Sequence, residues 1–412
     1  MIELNLEEEN QEKLGAILRV IGVGGAGGNA VNSMINSNEL SNVEFVVANT
    51  DAQALSLSLA ECKFQIGSKI TKGLGAGSNP DIGRRAAEED LDSLLEKISD
   101  SDILFLTAGL GGGTGSGALP VIAKSAKDLG ILTVAVVTKP FVFEGKRRLL
   151  HAKEASKILK DQCVDTLIIV PNQKLLELAD PKISMLDAFA MSDDVLRQAI
   201  KGISDIITKA GHINVDFADV REIMKDMGMA IMGIGRAEGE DRARQAALNA
   251  ISSPLLEDVS IEGAKGVLIN ITGNTDLGLQ EINEAASLIH DMVSPDAEII
   301  LGSVIDSSIG NEIMVTVIAT GFEVEKEKDN SINSRIETSW AHREVLKRQE
   351  SGIKEKKDIN VTPSNISEGT FDLNDLDTPA FLRKKLDEEE LSEGNEEIAM
   401  QAKEEQEDQI IG

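Results

Sequence analysis

Short, continuous apolar runs alternate with segments of helical period along the first 170 residues of the chain. Uninterrupted apolar runs of this length are typical of parallel strands that are buried on both faces of a sheet. In the first intervening segment, Val31, Met34 and Ile35 share one face of a helix. The pattern predicts a mostly parallel, doubly wound α/β domain with strands at residues 19–23, 43–48, 103–108, 131–138 and 166–170.

A long helix and a second, smaller α/β domain are predicted further along the chain. The helix is apolar almost throughout, so we expect it to be central and buried. Its period is set by Val195, Ala199, Ile200, Ile203 and Ile207. The smaller domain is predicted to contain a helix at 279–292 and strands at 265–271, 298–301 and 313–320.

The net charge of the chain is −29, from 70 acidic and 41 basic residues, and it is unevenly distributed. So acidic a chain is not expected to bind nucleic acid, because that requires a basic surface. Residues 387–412 contain eleven acids and one lysine, whereas residues 323–370 mix both charges with few apolar residues. These segments predict a flexible linker and a disordered acidic tail.

Neither a membrane span nor a signal peptide is expected. No apolar run approaches about 20 residues, and the first ten residues are acidic. The two cysteines, Cys62 and Cys163, predict neither a disulfide framework nor a zinc site, and we expect both to be buried. The sequence therefore predicts a soluble, cytoplasmic protein.

Two glycine-rich loops follow predicted strands. In the first, Gly22, Gly24 and Gly27 satisfy the GxGxxG pattern, which suggests either a dinucleotide site with Asp51 as the ribose ligand or simply a tight strand-to-helix turn. The second has six glycines within residues 109–117 and would let backbone N–H groups converge on an anion. A Rossmann dehydrogenase does not need this second cradle.

A third loop of small residues, 72–79, could close over a terminal phosphate. The chain has no GxxxxGK[ST] motif, which excludes a Walker P-loop. Two phosphate cradles without a P-loop lysine predict a nucleoside triphosphate held mainly by backbone dipoles, together with Mg²⁺.

Five motifs resemble the tubulin/FtsZ family of GTPases, in particular its bacterial cell-division members: NTDAQAL at 49–55, TKGLGAG at 71–77, GGGTGSG at 111–117, VTKPFVFEGKRR at 137–148 and NVDFADV at 214–220. The similarity extends through residues 19–322, with a further match at 375–385. It implies a tubulin-like architecture in which a Rossmann-like domain binds GTP or GDP with Mg²⁺. The implied segments are an extension at 1–18, a GTP-binding domain at 19–185, a central helix at 186–210, a GTPase-activating domain at 211–322, a flexible linker at 323–370, an adaptor-binding peptide at 371–386 and the acidic tail at 387–412.

The resemblance also implies the nucleotide ligands. Phe189 would stack on guanine, and Asp194 would accept hydrogen bonds from the base; Asp193 departs from the Asn common in relatives, so its own contact stays open. Without the family, Ser192 to Asp194 would be taken as the N-cap and acidic first turn of a helix. The implied GTP-binding residues are Gly24, Gly25, Gly27, Gly28, Asn29, Asn49, Asp51, Ala76, Gly77, Gly111, Gly112, Gly113, Thr114, Gly115, Ser116, Gly117, Glu144, Arg148, Asn172, Phe189 and Asp194.

Asn214, Asp216 and Asp219 are the implied catalytic residues. In the family this loop enters the nucleotide site of the next subunit, where it positions water and helps to hold the cation, so no metal site is expected within one subunit. The alternative interpretation of Asp216 and Asp219 is a capping box at a helix N-terminus.

A short helix-prone segment interrupts the polar C-terminal region, with Thr378 as an N-cap and Pro379 at the first helical position. It resembles the peptide by which family members bind membrane adaptors such as FtsA and other division proteins. The residues implied in that contact are Leu376, Pro379, Phe381, Leu382 and Arg383. The alternative is a nascent helix that binds nothing, and the acidic tail behind it is either solvated or weakens docking at anionic membranes.

Taken together, the resemblance implies a GTPase that polymerises head-to-tail into the cytokinetic Z ring at the midcell division site of a bacterium. GTP would be hydrolysed between subunits. The first alternative is a dinucleotide-dependent oxidoreductase, which leaves the second glycine loop unexplained. The other is a nucleotide-binding scaffold that assembles but hydrolyses little, against which Asp216 and Asp219 argue.

Overall fold

Ten strands pair into one sheet within the residues that the computed structural model describes, which are 15–322 without 41, 181, 210–212, 214 and 257–260. The strand order across the sheet is β3-β2-β1-β4-β5-β6-β7-β10-β8-β9. The strands are β1 Leu18–Val23, β2 Val43–Asn49, β3 Cys62–Gln65, β4 Ile103–Gly109, β5 Leu132–Lys139, β6 Thr166–Pro171, β7 Gly228–Ala237, β8 Gly266–Gly273, β9 Glu298–Ile305 and β10 Ile313–Thr320.

Helices cover both faces of this sheet, as the doubly wound pattern predicts. Residues 159–163 extend the sixth helix as a π-helical turn. The helices are α1 Gly24–Ser37, α2 Ala52–Ser56, α3 Ser68–Thr71, α4 Pro80–Ile98, α5 Gly113–Asp128, α6 Lys146–Ile158, α7 Asn172–Leu178, α8 Met185–Thr208, α9 Phe217–Met224, α10 Arg242–Ile251 and α11 Leu279–His290.

The parallel and antiparallel parts of the sheet meet at β6 and β7. Strands β1 to β6 pair in parallel, and Thr166 of β6 pairs with Gly228 of β7, also in parallel. Strand β10 then runs antiparallel to both β7 and β8. The predicted α/β class with a mostly parallel sheet is confirmed, and the strands predicted from apolar runs are all present.

Helix α8 is the predicted central helix, and its buried face includes Leu196, Ala199, Ile200 and Ile203. It also buries a lysine. The Lys201 ammonium lies 2.6 Å from the Asp205 carboxylate and 3.3 Å from Asp306, which follows β9. This ion-pair cluster joins α8 to the C-terminal strands, and a buried lysine is tolerated there because two carboxylates compensate its charge.

The core consists mainly of aliphatic side chains, as a chain with few aromatic residues requires. Phe105 and Phe141 are the aromatic members of its largest fully buried side chains. Cys163 is buried, as predicted, whereas Cys62 on the edge strand β3 is only half-buried. No helix within the described ranges is long and apolar enough to cross a membrane.

The order of the strands determines where the glycine loops lie. Strand β1 is flanked by β2 and β4, so the chain changes direction across the sheet at the β1/β4 boundary. The loops after β1 and β4 leave the carboxyl ends of these neighbouring parallel strands. In doubly wound sheets, that boundary is where a ligand crevice forms.

Candidate nucleotide-binding site

The three glycine-rich loops come together at the carboxyl ends of β1 and β4. A Cβ atom built on Gly109 would lie 2.6 Å from the Cβ of Ala26, so the second loop touches the first. A Cβ atom on Gly113 would lie 2.8 Å from the backbone nitrogen of Asn79 and 2.9 Å from the Cβ of Ala76. The third loop therefore closes against the second, and glycine is required where the two backbones approach each other.

Two helix N-termini open onto this junction. Helix α1 begins at Gly24 and α5 begins at Gly113, and neither helix has a side chain that caps its first N–H groups. Those N–H groups and the positive ends of both helix dipoles are consequently available to an anion. A Cβ atom on Gly25 or Gly112 would meet no other atom, so there is open space above both loops. The arrangement fits a polyphosphate.

Side chains of the loops support this cradle more than they line it. The Ser116 hydroxyl accepts a hydrogen bond of 2.7 Å from the backbone N–H of Gly111, which has a left-handed φ of 100°. The Thr114 hydroxyl hydrogen-bonds the Thr50 hydroxyl at 2.7 Å. Both contacts hold the second loop in shape, and the Thr50 contact connects it to the end of β2.

Asn49 and Asp51 likewise act within their own loop. The Asp51 carboxylate caps α2 by accepting hydrogen bonds from the backbone N–H groups of Gln53 and Ala54, and Asp51 forms a β-bridge with Leu74. Asn49 accepts from the backbone N–H of Asp51. Both contacts use one oxygen of the Asp51 carboxylate, so its visible role is to cap α2, and the other oxygen lies outside the cap.

A cleft of about 250 Å³ extends from the phosphate cradle toward α8. Nine of the predicted ligands line it, and the other twelve do not. At its far end, the Ser192 hydroxyl donates a 2.8 Å hydrogen bond to the Asn172 side-chain oxygen. The nine ligands are Gly25, Gly112, Gly113, Thr114, Gly115, Glu144, Arg148, Asn172 and Phe189.

One charged pair and one ring border the cleft. The Arg148 guanidinium lies 2.6 Å from the Glu144 carboxylate, which also accepts from the backbone N–H of Phe141. The ring of Phe189 is 38% exposed and meets Phe141 edge-on, with ring centroids 5.3 Å apart. Its exposed face is available for a planar base.

Asp193 lines the cleft, whereas Asp194 does not. The Asp194 carboxylate is engaged by the side chains of Arg197 and Gln198 on the same helix. Burial raises the pKa of Asp193 to about 6, because no described group compensates its charge. The alternative that Ser192 begins a helix is wrong, because α8 begins at Met185 and these residues lie inside it.

Asp216 and Asp219 lie at the exposed start of α9 and form a capping box. The backbone N–H of Asp219 donates to one oxygen of Asp216 at 2.9 Å, and that of Asp216 donates to one oxygen of Asp219 at 3.2 Å. The capping-box interpretation is therefore confirmed, and one oxygen of each carboxylate stays outside it. Asn214 lies outside the described residues.

This capping box is far from the cleft of its own chain. Arg221 of α9 donates to the carbonyl of Gly130, just before β5, whereas Thr138 and Pro140 at the other end of β5 line the cleft. An eight-residue strand spans about 23 Å, which separates the capping box from the cleft.

Within the described ranges, no group of carboxylates, histidines or cysteines could hold a metal ion alone.

The predicted adaptor contacts at Leu376, Pro379, Phe381, Leu382 and Arg383 lie outside the described residues. The same holds for the predicted linker at 323–370, the peptide at 371–386 and the acidic tail at 387–412. The structure describes the predicted N-terminal extension only from residue 15 onward.

Comparisons with known proteins agree with this geometry. Residues 17–180 match the model of the GTPase domain of the tubulin/FtsZ family, and residues 228–323 match that of the FtsZ family C-terminal domain. An empty FtsZ dimer from M. jannaschii is 42% identical, with a TM-score of 0.72 over 78% of this chain and 96% of that one. A point mutant of the same FtsZ is 45% identical, with a TM-score of 0.72 over 75% of this chain and 92% of that one.

A more distant structure shares the fold alone. The protofilament of CetZ2 from Haloferax volcanii is 20% identical, with a TM-score of 0.65 over 81% of this chain and 99% of that one. The M. jannaschii structures indicate family membership as well as fold, because both their sequence identity to this chain and the share of it that they cover are high. Together with the two family models and the nucleotide cleft, they show that this chain is a GTPase of the FtsZ family.

Proposed function

We propose that this GTPase polymerises head-to-tail and hydrolyses GTP between subunits, as part of a Z ring at the division site of a bacterial cell. The observation that carries the proposal is the separation of the cleft from Asp216 and Asp219 by the length of β5. Because the cleft and this pair of carboxylates lie at opposite ends of β5, they can form one catalytic site only between two copies of the chain. The M. jannaschii relative is described as a dimer, which supports self-association.

This contact is heterologous, because the cleft of one copy meets the loop that contains Asp216 and Asp219 on another copy. Each copy then retains a free cleft at one end and a free loop at the other. Such a contact adds subunits without limit unless it closes into a ring. Filament growth therefore follows from the same geometry that divides the site.

Asp216 and Asp219 would position the attacking water, together with Asn214 of the same loop. Phosphoryl transfer requires little covalent chemistry from a protein, but it requires a positioned nucleophile and compensated charge. One oxygen of each carboxylate is available, since the capping box uses only the other. When Mg²⁺ is bound with the nucleotide, it supplies charge compensation on the phosphate oxygens.

Within the cleft, we assign the phosphates to the N-termini of α1 and α5, with Ala76 and Gly77 beside the γ-phosphate. Glu144 and Arg148 would bind the ribose and phosphates, Asn172 the ribose or base, and Phe189 would stack on guanine. We assign recognition of the guanine N1–H and N2–H₂ donors to Asp193, because it faces the cleft while Asp194 is paired with Arg197.

Substitution of Asp219 by alanine tests the divided site. We expect the Asp219→Ala variant to bind GTP like the wild type and to lose at least about a hundredfold in turnover, since removing a charge-stabilising or positioning group typically costs that much. Glu222→Ala, on the exposed side of the same helix, is the matched control and should retain turnover. GTP affinity by titration and phosphate release are the measurements.

A second experiment measures the rate of GTP hydrolysis as a function of protein concentration. Hydrolysis that begins steeply above a threshold concentration supports the site between subunits, and sedimentation with GTP and with GDP should show polymer at that same threshold. A linear rise from zero, or full activity of Asp219→Ala, would refute the assignment.

Attachment to the membrane is assigned to the peptide at 371–386, through an adaptor such as FtsA. Its sequence supports this proposal, because a short amphipathic segment with Phe381 and Leu382 suits helix-in-groove recognition. Phe381→Ala should weaken adaptor binding while GTPase activity is unchanged. Equal adaptor binding by both proteins would contradict the assignment.

A further inference from the structure

A buried serine lies between the two groups of α8 that we place against the guanine. Phe189 precedes Ser192 by three positions and Asp193 by four, so the three residues share one face of the helix, and all of them line the cleft. Ser192 is only 3% exposed, so it can influence a bound nucleotide mainly through the groups that it contacts. Its hydroxyl has one proton to donate, and the acceptor of that proton determines its role.

The acceptor is the side chain of Asn172, which directly follows β6. The Ser192 hydroxyl donates to the Asn172 Oδ1 atom at 2.8 Å, and Asn172 is itself only 4% exposed. Asp193 accepts no hydrogen bond from a described residue, so the serine proton serves the amide alone. The bond joins α8 to the end of β6 and fixes one end of the Asn172 amide.

The other end of this amide opens onto the cleft. The Asn172 Nδ2 atom has no hydrogen-bond partner among the described residues, yet it is not one of the buried atoms that lack a partner. It is therefore accessible, and because Asn172 lines the nucleotide cleft, its N–H₂ group faces into that cleft. Asn172 consequently offers two donors to a ligand while its acceptor oxygen is occupied.

Chemical partners decide which end of the Asn172 amide faces the cleft, because its oxygen and its N–H₂ group are nearly equal in size. The proton of Ser192 holds the oxygen inside the wall. The carboxylate of Asp193, which lines the same cleft, favours a donor group beside it. A guanine that enters the cleft therefore meets an amide that is already oriented, which lowers the entropic cost of binding.

We propose that Ser192 is a positioning residue for the guanine. It holds the Asn172 amide so that the N–H₂ group donates to an acceptor atom of the base. The inference rests on the proposed placement of the guanine between Phe189 and Asp193. Along one edge of guanine, the N1–H and N2–H₂ donors lie between two acceptors, O6 and N3, so a carboxylate and an amide N–H₂ group together complement that edge.

Removal of the serine hydroxyl should turn the amide around. In the Ser192→Ala variant, the buried oxygen of Asn172 loses its donor, and a buried acceptor without a partner is costly. The amide then turns its oxygen toward the water in the cleft, where it would oppose an acceptor atom of the base. We expect the affinity for GDP to decrease at least about threefold, and about tenfold in Asn172→Ala, which removes the donor itself.

A double-mutant cycle on the full-length, nucleotide-free protein tests whether the serine acts through the amide. Calorimetric titration with GDP is the measurement, because GDP contains the same guanosine as GTP and is not hydrolysed. In the Asn172→Ala background, Ser192→Ala should weaken binding by less than about 1.5-fold, since the group that it positions is absent. An equal loss in both backgrounds would overturn the proposal.

Two further titrations test the donor and its target. Asn172→Asp keeps the acceptor for Ser192 and replaces the N–H₂ group by an oxygen, so it should bind GDP at least about tenfold more weakly. Affinity like that of the wild type would show that the N–H₂ group is not used. Ser192→Ala should weaken binding of 2′-deoxy-GDP as much as that of GDP, because the acceptor lies on the base. If the loss disappeared with 2′-deoxy-GDP, the acceptor would be the ribose oxygen and the assignment would be wrong.

Ser101→Ala is the matched control. It removes a buried 3.0 Å hydrogen bond from Arg19 at the other end of β4, and it should bind GDP like the wild type. An equal loss of affinity in this variant would attribute the effect to a lost buried bond and overturn the proposal. Failure of the proposed base position has a separate signature, which is wild-type affinity of Asn172→Ala. A tenfold loss in Asn172→Ala with none in Ser192→Ala would refute the role of Ser192 alone.

Discussion

Replacing Asp193 by asparagine should change the stability of the protein and its affinity for GTP in opposite directions. Asp193 is a largely buried carboxylate in the cleft, with no described hydrogen-bond donor of its own. In the nucleotide-free protein its charge is therefore costly. When guanine is bound, the same charge would accept two hydrogen bonds from the base.

The raised pKa of Asp193 gives the magnitude. Its value increases from 3.8 to about 6, which is about two pKa units, and each unit corresponds to about 1.4 kcal/mol. The Asp193→Asn variant should accordingly have a free energy of unfolding at pH 7.5 that is higher than that of the wild type by up to about 3 kcal/mol. The increase is smaller to the extent that water in the cleft screens the charge of Asp193.

The sign of the pH dependence follows from the direction of the shift. Because the folded state holds the proton more tightly than the unfolded state, Asp193 lowers the stability progressively as pH rises from about 4 to about 6. The stability difference between Asp193→Asn and wild type should be largest above pH 6 and vanish near pH 4. Glu144 and Arg148 also line the cleft, but they are paired with each other.

Affinity for GTP should respond in the opposite sense. Losing a charged acceptor for two donors should weaken binding by about ten- to a hundredfold, as charge-assisted hydrogen bonds contribute about 1.5 to 3 kcal/mol. Wild-type affinity should also fall as pH decreases through about 6, because protonation removes the acceptor, whereas the variant should lose this dependence.

Urea unfolding without nucleotide and titration with GTP at pH 5.5 and 7.5 would measure both effects. Asp194→Asn is the matched control: it should retain the pH dependence of binding and lower the stability, because it breaks the ion pair with Arg197. If Asp193→Asn lowered the stability at pH 7.5, or if Asp194→Asn alone abolished binding, the assignment of Asp193 would be wrong.

Three further changes test the rest of the structure. Gly113→Ala should abolish GTP binding and lower the thermal stability, because the added Cβ would lie 2.8 Å from the backbone of the third loop. Gly112→Ala is the control and should fold normally, since its Cβ meets open space. Equal thermal stability of the two variants would contradict the close approach of the loops. Lys201→Met should lower the free energy of unfolding in urea by about 3 to 5 kcal/mol, because the buried Asp205 loses its buried partner and keeps only the half-buried Lys209. A change below about 1 kcal/mol would show that Lys209 compensates the charge of Asp205 fully. Ser303→Ala should slow turnover by roughly tenfold at unchanged GTP affinity, because the Ser303 hydroxyl accepts a 3.0 Å hydrogen bond from the backbone N–H of Ile213, next to the residues proposed to be catalytic. Unchanged turnover would exclude this positioning role.

Strands with continuous apolar runs were predictable, whereas a short edge strand and elements rich in small residues were not. Strand β3 has only four residues and lies at the sheet edge, so its burial alternates instead of being continuous. Strand β7 contains three glycines, which weaken a strand signal. Helix α10 buries only Arg242 and four alanines, which contribute little apolar area to a periodic pattern.

The phosphate cradle was predictable from the sequence because it depends on glycines at fixed spacing after apolar runs. Backbone N–H groups at a helix N-terminus need no particular side chain, so their position follows from local structure alone. The carboxylate that lines the cleft was different. Adjacent residues of a helix differ by about 100° in direction, and sequence alone left the choice between Asp193 and Asp194 to a family pattern.

The sequence by itself determined the α/β class, the glycine turns and the capping box of Asp216 and Asp219, since each depends on residues close together in the chain. Only the tertiary structure decided which carboxylate faces the cleft, because the rotation of α8 is set by packing its buried face on strands from the N-terminal and C-terminal parts of the sheet. It also decided that α9 and the cleft lie at opposite ends of β5. That separation arises from the direction of a strand within a sheet, which requires partners distant in sequence.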